Sequence, residues 1–367
     1  MKIMTNTIKN SSVKFKSIAK FALVIITFSL TIKLSQANVF TQRSFIADNA
    51  HDLIHANNSN KVKKSYLPYY QMINEASFSE YKKDTIGALN IYIKAFKEYR
   101  GFETDYIHAI GLSLKLSMYD ITYKLLKQKA LNTGWLSLEE LFDSIQVRLF
   151  LNNSNGKKFT KDFPKWLVKN ERKYDIKSVR FMASINESDQ FVRSGNFRFI
   201  KDHLKYDSLY RKIIINLSTN TDNQNFVRFK NFCEIYGYPG RSKLGGKDSY
   251  NSFIIHIFKY FKDTNETQTS VEKMKFNYLD SLLKVQIRLG EFDPNIFAYC
   301  MDYSLLSDSV SLLGRPIYYR NENGKFLLNF PLINPETINI RREAIGLMKI
   351  EDERKILNLP LPPNLLK

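Results

Sequence analysis

Apolar residues recur at helical intervals through the region from about 72 to 148. Ile86, Leu89, Ile93 and Phe96 are separated by three, four and three positions, which places them on one face of an α-helix. Two further helices are predicted from the same kind of spacing, over Ile107, Ile110, Leu114 and Met118 and then over Tyr123, Leu126 and Ala130. Short breaks at Arg100-Gly101 and Thr133-Gly134 indicate that these helices form antiparallel hairpins.

A fourth helix is predicted from Trp135 to about Phe150, because Ser137 with Glu140 three positions later forms a capping box. The stretch 152–158 is polar and contains Gly156, so it predicts a boundary. A connecting helix is expected to begin at Pro164, since proline is favoured in the first turn of a helix.

The second half of the chain also has a mainly helical pattern. Asp222 and Asp293-Pro294 are interpreted as helix start signals. Two β-prone strings flank 321–324, where Asn-Gly ends a four-residue connection, and they predict one hairpin over residues 317–328. The predicted helices are 185–193, 226–235, 250–261, 271–288 and 295–305.

Together these patterns predict a mainly α protein, with helical hairpins followed by a helical domain that carries one small β-hairpin. The predicted organisation is a signal peptide over 1–37, a lead-in over 38–71, a helical-repeat region over 72–150 and a C-terminal helical domain over 171–358.

The first 37 residues have the features of an export signal. They contain six lysines and no acid, and a largely apolar run of twelve residues, 21–32, is followed by small residues at Ser35 and Ala37. That run is too short to span a bilayer, which takes about 20 residues. We expect cleavage after Ala37 and a periplasmic or secreted protein with no stable membrane span, although a retained short anchor is the alternative.

The chain of 367 residues carries a net charge of +19, which falls to +13 if residues 1–37 are removed. Its basic residues are spread out, with no block of five like charges, so we expect no nucleic-acid partner. Five histidines and two cysteines leave little material for a metal site, and common phosphate-binding and nucleophile motifs are missing, so we expect no metal or cofactor. Cys233 and Cys300 are interpreted as buried thiols, with a disulfide as the alternative.

Three strings of the first helical region share a pattern of small and aromatic residues. They are Ala88…Tyr92…Lys94-Ala95-Phe96, Asp105-Tyr106…Ala109 and Tyr123…Leu126…Ala130…Gly134-Trp135. With these strings, the region resembles degenerate tetratricopeptide-like repeats of exported proteins from Bacteroidetes-type bacteria. The resemblance covers about 80 residues, and it implies a concave surface that binds a protein partner. An unrelated helical bundle with the same spacing remains the alternative.

The second region resembles an uncharacterised bacterial family, a domain of unknown function, over roughly 170 residues. This chain departs from the family at His256-Ile257-Phe258 and at Tyr318-Tyr319-Arg320-Asn321. No established activity accompanies the resemblance. The matching strings include Asp189-Gln190-x-x-Arg193, Tyr236-Gly237-Tyr238-Pro239, Gly314-Arg315-Pro316 and Arg341-Arg342.

Asp189, Arg193 and His256 are the candidate catalytic residues. Asp189 and Arg193 are four positions apart and can pair on one helix face, with Gln190 beside them, and His256 ends an apolar string. If the fold brings them together, an Asp-oriented histidine could serve as a general base. The alternative is a structural ion pair. Tyr318, Tyr319 and Arg320 are candidate binding residues, because aromatic rings beside a base can stack on a ligand.

Two functions follow from these features. The first is an exported binding module that uses its helical repeats, and the second is an exported hydrolase-like enzyme with a cleft at Asp189, Arg193 and His256. A distance below about 4 Å between His256 and Asp189 or Arg193, in an open pocket, would favour the enzyme.

Overall fold

Four helices form the first part of the computed structural model, which describes residues 64–134, 144–193, 208–246, 252–259, 270–305, 309–315, 317–321 and 324–365. Each packs on the next along the chain, so the predicted helical hairpins are present and the mainly α fold class is confirmed. The helices are α1 (Leu67–Tyr81), α2 (Thr85–Glu98), α3 (Glu103–Lys115) and α4 (Tyr119–Thr133). All described residues belong to one of two units of the chain, Lys63–Lys367.

Local sequence signals explain the bounds of these helices. Asp84 precedes α2, and its Oδ1 accepts a hydrogen bond from the amide of Gly87 at 2.9 Å, which satisfies a donor that the first turn leaves unpaired. Gly134 ends α4 with φ of 83°, as predicted for a C-terminal glycine. α1 begins at Leu67, inside the predicted lead-in, because Pro68 fits the first turn and Tyr69 and Tyr70 are buried against the other helices.

The predicted break over 152–158 is wrong, because a helix occupies most of it. α5 (Ser144–Asn152) is separated from α6 (Ser154–Glu171) by Asn153 alone, whose side chain caps α6. Gly156 lies against α5, and a Cβ there would come within 2.1 Å of the Phe150 carbonyl oxygen, so glycine allows the close approach. Pro164 lies inside α6 and does not start it. The predicted capping box and the signal segment lie outside the described residues.

Five helices follow in the second region, at positions that overlap all five predicted ones. Asp222 does not start a helix, since it lies inside a long helix and its side chain pairs with Arg193. Asp293 does start one, as predicted, and accepts a hydrogen bond from the amide of Asn295 at 2.7 Å. The helices are α7 (Ile176–Phe191), α8 (Ser208–Tyr236), α9 (Ser252–Lys259), α10 (Ser270–Arg288) and α11 (Pro294–Ser304).

Two short strands, one 3₁₀ helix (Pro335–Thr337) and two short α-helices complete the described chain. β1 (Ile317–Asn321) pairs antiparallel with β2 (Gly324–Leu328), with Tyr319 opposite Phe326. α12 (Ile338–Glu343) and α13 (Ile350–Ile356) pack on each other, and α13 also contacts α1. Asp302 of α11 is fully buried and accepts hydrogen bonds from the amides of Leu312, Leu313 and Arg315, which fixes the loop that precedes β1.

Arg241 joins the two predicted regions. Its guanidinium donates hydrogen bonds to the carbonyl oxygens of Arg100 and Gly101, each at 2.7 Å, and to that of Gly290 at 2.8 Å. The same group lies 3.6 Å from the centroid of the Phe102 ring, a favourable cation–π geometry. The hydrogen bonds of Arg241 therefore connect the α2–α3 turn to the turn that follows α10.

No helix in the described ranges combines the length and apolar character that crossing a bilayer would take. Cys233 and Cys300 are both free thiols, and Cys300 is fully buried. Burial raises the pKa of Cys233 to about 12, so this thiol is poorly reactive at neutral pH.

Candidate functional site

The predicted catalytic residues meet where α7, α8 and α9 pack together. Asp189, near the end of α7, is fully buried, and its carboxylate lies 2.8 and 2.9 Å from Nδ1 of His256 on α9. Nη1 of Arg193 donates to the same carboxylate at 2.7 Å, and the side chain of Gln190 donates to it at 2.8 Å. The structure therefore brings Asp189, Gln190, Arg193 and His256 together.

A second carboxylate completes this network. Asp222 of α8 accepts two hydrogen bonds from Nη2 of Arg193, at 2.7 and 2.9 Å. Arg193 thus lies between two carboxylates, from α7 and α8, and its remaining exposure is 20%. The sequence shows the Asp189–Arg193 pair through its spacing of four, but Asp222 is 29 positions from Arg193 and carries no comparable signal.

Burial governs the charges of the network. It raises the pKa of Asp222, and the pairing with Arg193 opposes this rise without cancelling it. With a neutral His256, two carboxylates face one guanidinium, and a protonated imidazole would balance the group. Because both carboxylates are removed from water, each depends on these partners.

His256 is held in an orientation that suits proton transfer. Nδ1 of His256 faces the Asp189 carboxylate, so in the neutral imidazole Nδ1 would donate to Asp189 and Nε2 would bear the lone pair. In the described part of the chain, no hydrogen bond engages Nε2, and the side chain is 23% exposed. No hydroxyl or thiol among the described residues forms a hydrogen bond with this imidazole.

The other predicted binding residues are not brought to this network by any described contact. Tyr318, Tyr319 and Arg320 lie in β1, which contacts α11, and their side chains are outside the described residues.

A second site lies between α1, the start of α3 and the start of α11, and the sequence did not reveal it. It is a cavity of about 40 Å³ whose walls come from four separate segments of the chain. Asp105 and Asp293, which the pattern marks only as residues at helix starts, both line it. Its other lining residues include Tyr70, Asn74, Phe102 and Gly346.

The hydroxyl of Tyr69 forms a hydrogen bond with the carboxyl group of Asp105. The Tyr69 hydroxyl donates to Oδ2 of Asp105 at 2.5 Å and accepts from the amide of Phe102 at 3.0 Å. Burial raises the pKa of Asp105 to about 7; the nearby Asp293 carboxylate adds to the rise, while the Tyr69 hydrogen bond and Arg241 oppose it. Burial also raises the pKa of Asp293. Perturbed acids in a cavity are typical of functional sites.

No protein-family model, curated protein or solved structure matches this chain. The resemblances to tetratricopeptide-like repeats and to the uncharacterised bacterial family therefore stay predictions, and the functional argument depends on the two sites themselves.

Proposed function

We propose that this protein is an exported binding module whose helical hairpins position a ligand pocket at the cavity beside Asp105. The observation that carries the proposal is the cavity of about 40 Å³, which residues from four separate segments of the chain line. Its walls combine aromatic rings, two amide side chains and two carboxylates.

The way in which the cavity is built supports this function. Asn74 donates to the carbonyl oxygen of Gly346 at 3.1 Å, and the Tyr70 hydroxyl donates to that of Ile287 at 2.9 Å. These bonds tie α1 to two segments of the second region, so the pocket walls are fixed before a ligand arrives. A pocket with fixed walls loses less conformational entropy on binding than one that must order itself.

The test uses a variant that fills the cavity mouth. Thr104 lines the cavity and is exposed, so Thr104→Trp should fold normally and occupy the opening. Saturation-transfer NMR with a mixture of small polar metabolites should detect compounds that bind the wild type and not Thr104→Trp. Gln128→Trp, on the exposed side of α4, is the control and should retain binding. Identical spectra for all three proteins, or no bound compound, would overturn the proposal.

The second candidate function is a hydrolase-like enzyme in which His256 is the general base. The 2.8 Å contact between Nδ1 of His256 and the buried Asp189 favours it, since this arrangement orients an imidazole and stabilises its protonated form. Arg193 already donates to Asp189 and Asp222, so we assign it the role of holding Asp189 and not of binding an anion.

A panel of activated ester and amide substrates tests this second candidate. His256→Gln should lower any turnover by about 100-fold or more, as expected when a general base is lost. His108→Gln is the control, since His108 is 60% exposed on α3 and lies outside the network. Activity that is equal in the two variants, or no turnover by the wild type, would exclude the enzyme.

A further inference from the structure

We infer that the exposed face shared by α4 and α6 binds the surface of a membrane that contains anionic lipids, by electrostatic attraction and without insertion. This inference does not depend on the cavity beside Asp105, and it adds a second binding surface to the molecule. Its central observation is a set of exposed basic side chains on two neighbouring helices. This lysine face consists of Lys124, Lys127, Lys161, Lys165, Lys169 and Arg172.

The basic residues of α6 lie along one side of that helix. Lys161, Lys165 and Lys169 are four positions apart, and Arg172, directly after the helix, follows three positions later. Residues at these spacings are neighbours on a helix surface, with each step of four positions covering about 6 Å along the axis. Another side of α6 packs in the core, where Trp166 is buried. The basic side can therefore meet a partner without a change in the fold.

Two hydrogen bonds set the basic residues of α4 level with those of α6. Tyr123 of α4 donates to Asp162 of α6 at 2.9 Å, and Asn170 of α6 donates to a backbone carbonyl of α4 at 3.0 Å. The two residues of each pair are 39 positions apart, so the two helices run in the same direction. The exposed Lys124 and Lys127 therefore lie level with the middle of α6, and the basic residues of the two helices form one face.

Neighbouring acids do not balance the positive charge of the lysine face. In the ranges that the structure describes, none of its six residues forms a salt bridge. Asp120 and Asp162, at the contact between the helices, each accept a hydrogen bond from a neutral side chain. Glu171 is two positions from Lys169 and so lies on a different side of the helix. Like charges four positions apart destabilise a helix, and an anionic surface would offset that cost.

The side chains of the lysine face favour lipid headgroups over nucleic acid. Five of the six are lysines, which are point charges on flexible stems and do not fix the orientation of a phosphate as arginine does. They suit headgroups that diffuse within a membrane surface. Single-stranded nucleic acid is bound with aromatic rings on which its bases stack. The Tyr123 ring borders the face, but Nζ of Lys158 lies over it, 4.9 Å from the ring centroid.

The shape of the lysine face favours a surface over a linear polysaccharide. A linear polyanion would follow one row of charges. The basic residues instead form two rows on packed helices, whose axes lie about 8–10 Å apart. Two rows of charges can meet a planar layer of headgroups at the same time.

The experiment is co-sedimentation of the full chain with sucrose-loaded vesicles that contain phosphatidylglycerol and phosphatidylcholine in equal amounts. The triple variant Lys161→Gln/Lys165→Gln/Lys169→Gln should bind these mixed vesicles about tenfold more weakly than the wild type, or weaker still, since each lysine near an anionic surface contributes to the attraction. Salt screens this attraction, so raising it from about 0.05 M to about 0.5 M should weaken wild-type binding roughly tenfold.

A second triple variant is the matched control, since it removes the same charge from exposed positions outside α4 and α6. It should bind the mixed vesicles as the wild type does. Residues 1–37 carry six lysines of their own and both variants keep them, so the difference between the two variants is the deciding measurement. The control substitutions are Lys94→Gln, Lys97→Gln and Lys349→Gln.

Equal weakening in the two triple variants would overturn the inference, because net charge alone would then explain binding. Binding to pure phosphatidylcholine vesicles as tight as to the mixed vesicles, or no binding to either, would also overturn it. Tighter binding of heparin or of single-stranded oligothymidylate than of the mixed vesicles would assign the lysine face to another polyanion. Thr104→Trp, at the mouth of the cavity, should bind vesicles as the wild type does, so failure of the cavity proposal leaves this inference intact.

Discussion

Asp105 and Asp222 show how a buried acid depends on its immediate neighbours. Burial raises the pKa of both. Asp222 has Arg193 against it, with two hydrogen bonds, whereas Asp105 accepts a hydrogen bond from the hydroxyl of Tyr69 and, among the described residues, forms no salt bridge. The first is therefore part of an ion-pair network, and the second keeps its proton to a higher pH than an exposed acid does.

The proton on Asp105 should make stability depend on pH. The folded protein keeps this proton up to about pH 7, whereas the unfolded chain loses it near pH 4. The free energy of unfolding should therefore fall as pH rises from about 4 to 7, and Asp105→Asn should remove about 2–4 kcal/mol of that fall. Urea unfolding at pH 4, 5.5, 7 and 8 measures it, with Asp280→Asn as the control. Parallel pH profiles for wild type and Asp105→Asn would contradict this expectation.

Arg193→Met should leave two buried carboxylates without their cation and lower the free energy of unfolding by about 3–5 kcal/mol. Chemical denaturation measures this, and Arg180→Met, at an exposed position of α7, is the matched control. Adding Asp189→Asn and Asp222→Asn to Arg193→Met should recover part of the loss, since the unpaired charges are then gone. An Arg193→Met protein as stable as the control would show that the network contributes little.

At the scale of helices and strands, the periodic apolar residues of α2, α3 and α4 predicted these helices. The buried face of α2 was only partly predicted, since Ile86 is 53% exposed. The prediction failed where polar residues continue a helix. α6 carries Ser, Asn and Gly at its start, which usually signal a loop, but packing of Phe159 and Trp166 and the glycine contact with α5 stabilise it. Tertiary contacts overrode local preference there.

Asp84 caps the start of α2, and substitutions of Asp84 test how much this cap contributes to stability. Asp84→Ala should cost about 1 kcal/mol, because the Gly87 amide loses its acceptor, while Asp84→Asn should cost only a few tenths. Urea denaturation of the wild type, Asp84→Ala and Asp84→Asn measures these changes in the free energy of unfolding. A loss in Asp84→Asn as large as that in Asp84→Ala would show that charge, and not capping, is responsible.

At the scale of the whole molecule, each site is formed by residues that are distant in the sequence. The sequence therefore predicted some of these residues and not others. The spacing of Asp189 and Arg193 is local and could be predicted. The approach of His256, 67 positions from Asp189, was stated only as a condition, because no periodicity connects separate helices. The cavity was not predicted at all, since residues near 70, 105, 293 and 346 meet only through the packing of the two regions.

A substitution of Arg241 tests the contacts between the two regions of the molecule. Arg241→Lys keeps the charge but cannot reach three carbonyl groups in fixed directions, so it should destabilise the protein by about 2–4 kcal/mol. Hydrogen exchange should show faster opening of the α2–α3 turn than of α7. Arg172→Lys, at an exposed position, is the control. Unchanged exchange at residues 100–102 would contradict this role.

The hydrogen bond from Arg241 to the carbonyl group of Gly290 has a consequence for biosynthesis of the chain. A ribosome makes the chain from its amino end, so helices α1 to α4 are complete long before the acceptor that secures them exists. The hydrogen bond between Arg241 and Gly290 cannot form until residue 290 has emerged from the ribosome. Until then, the turn between α2 and α3 lacks this link to the second region.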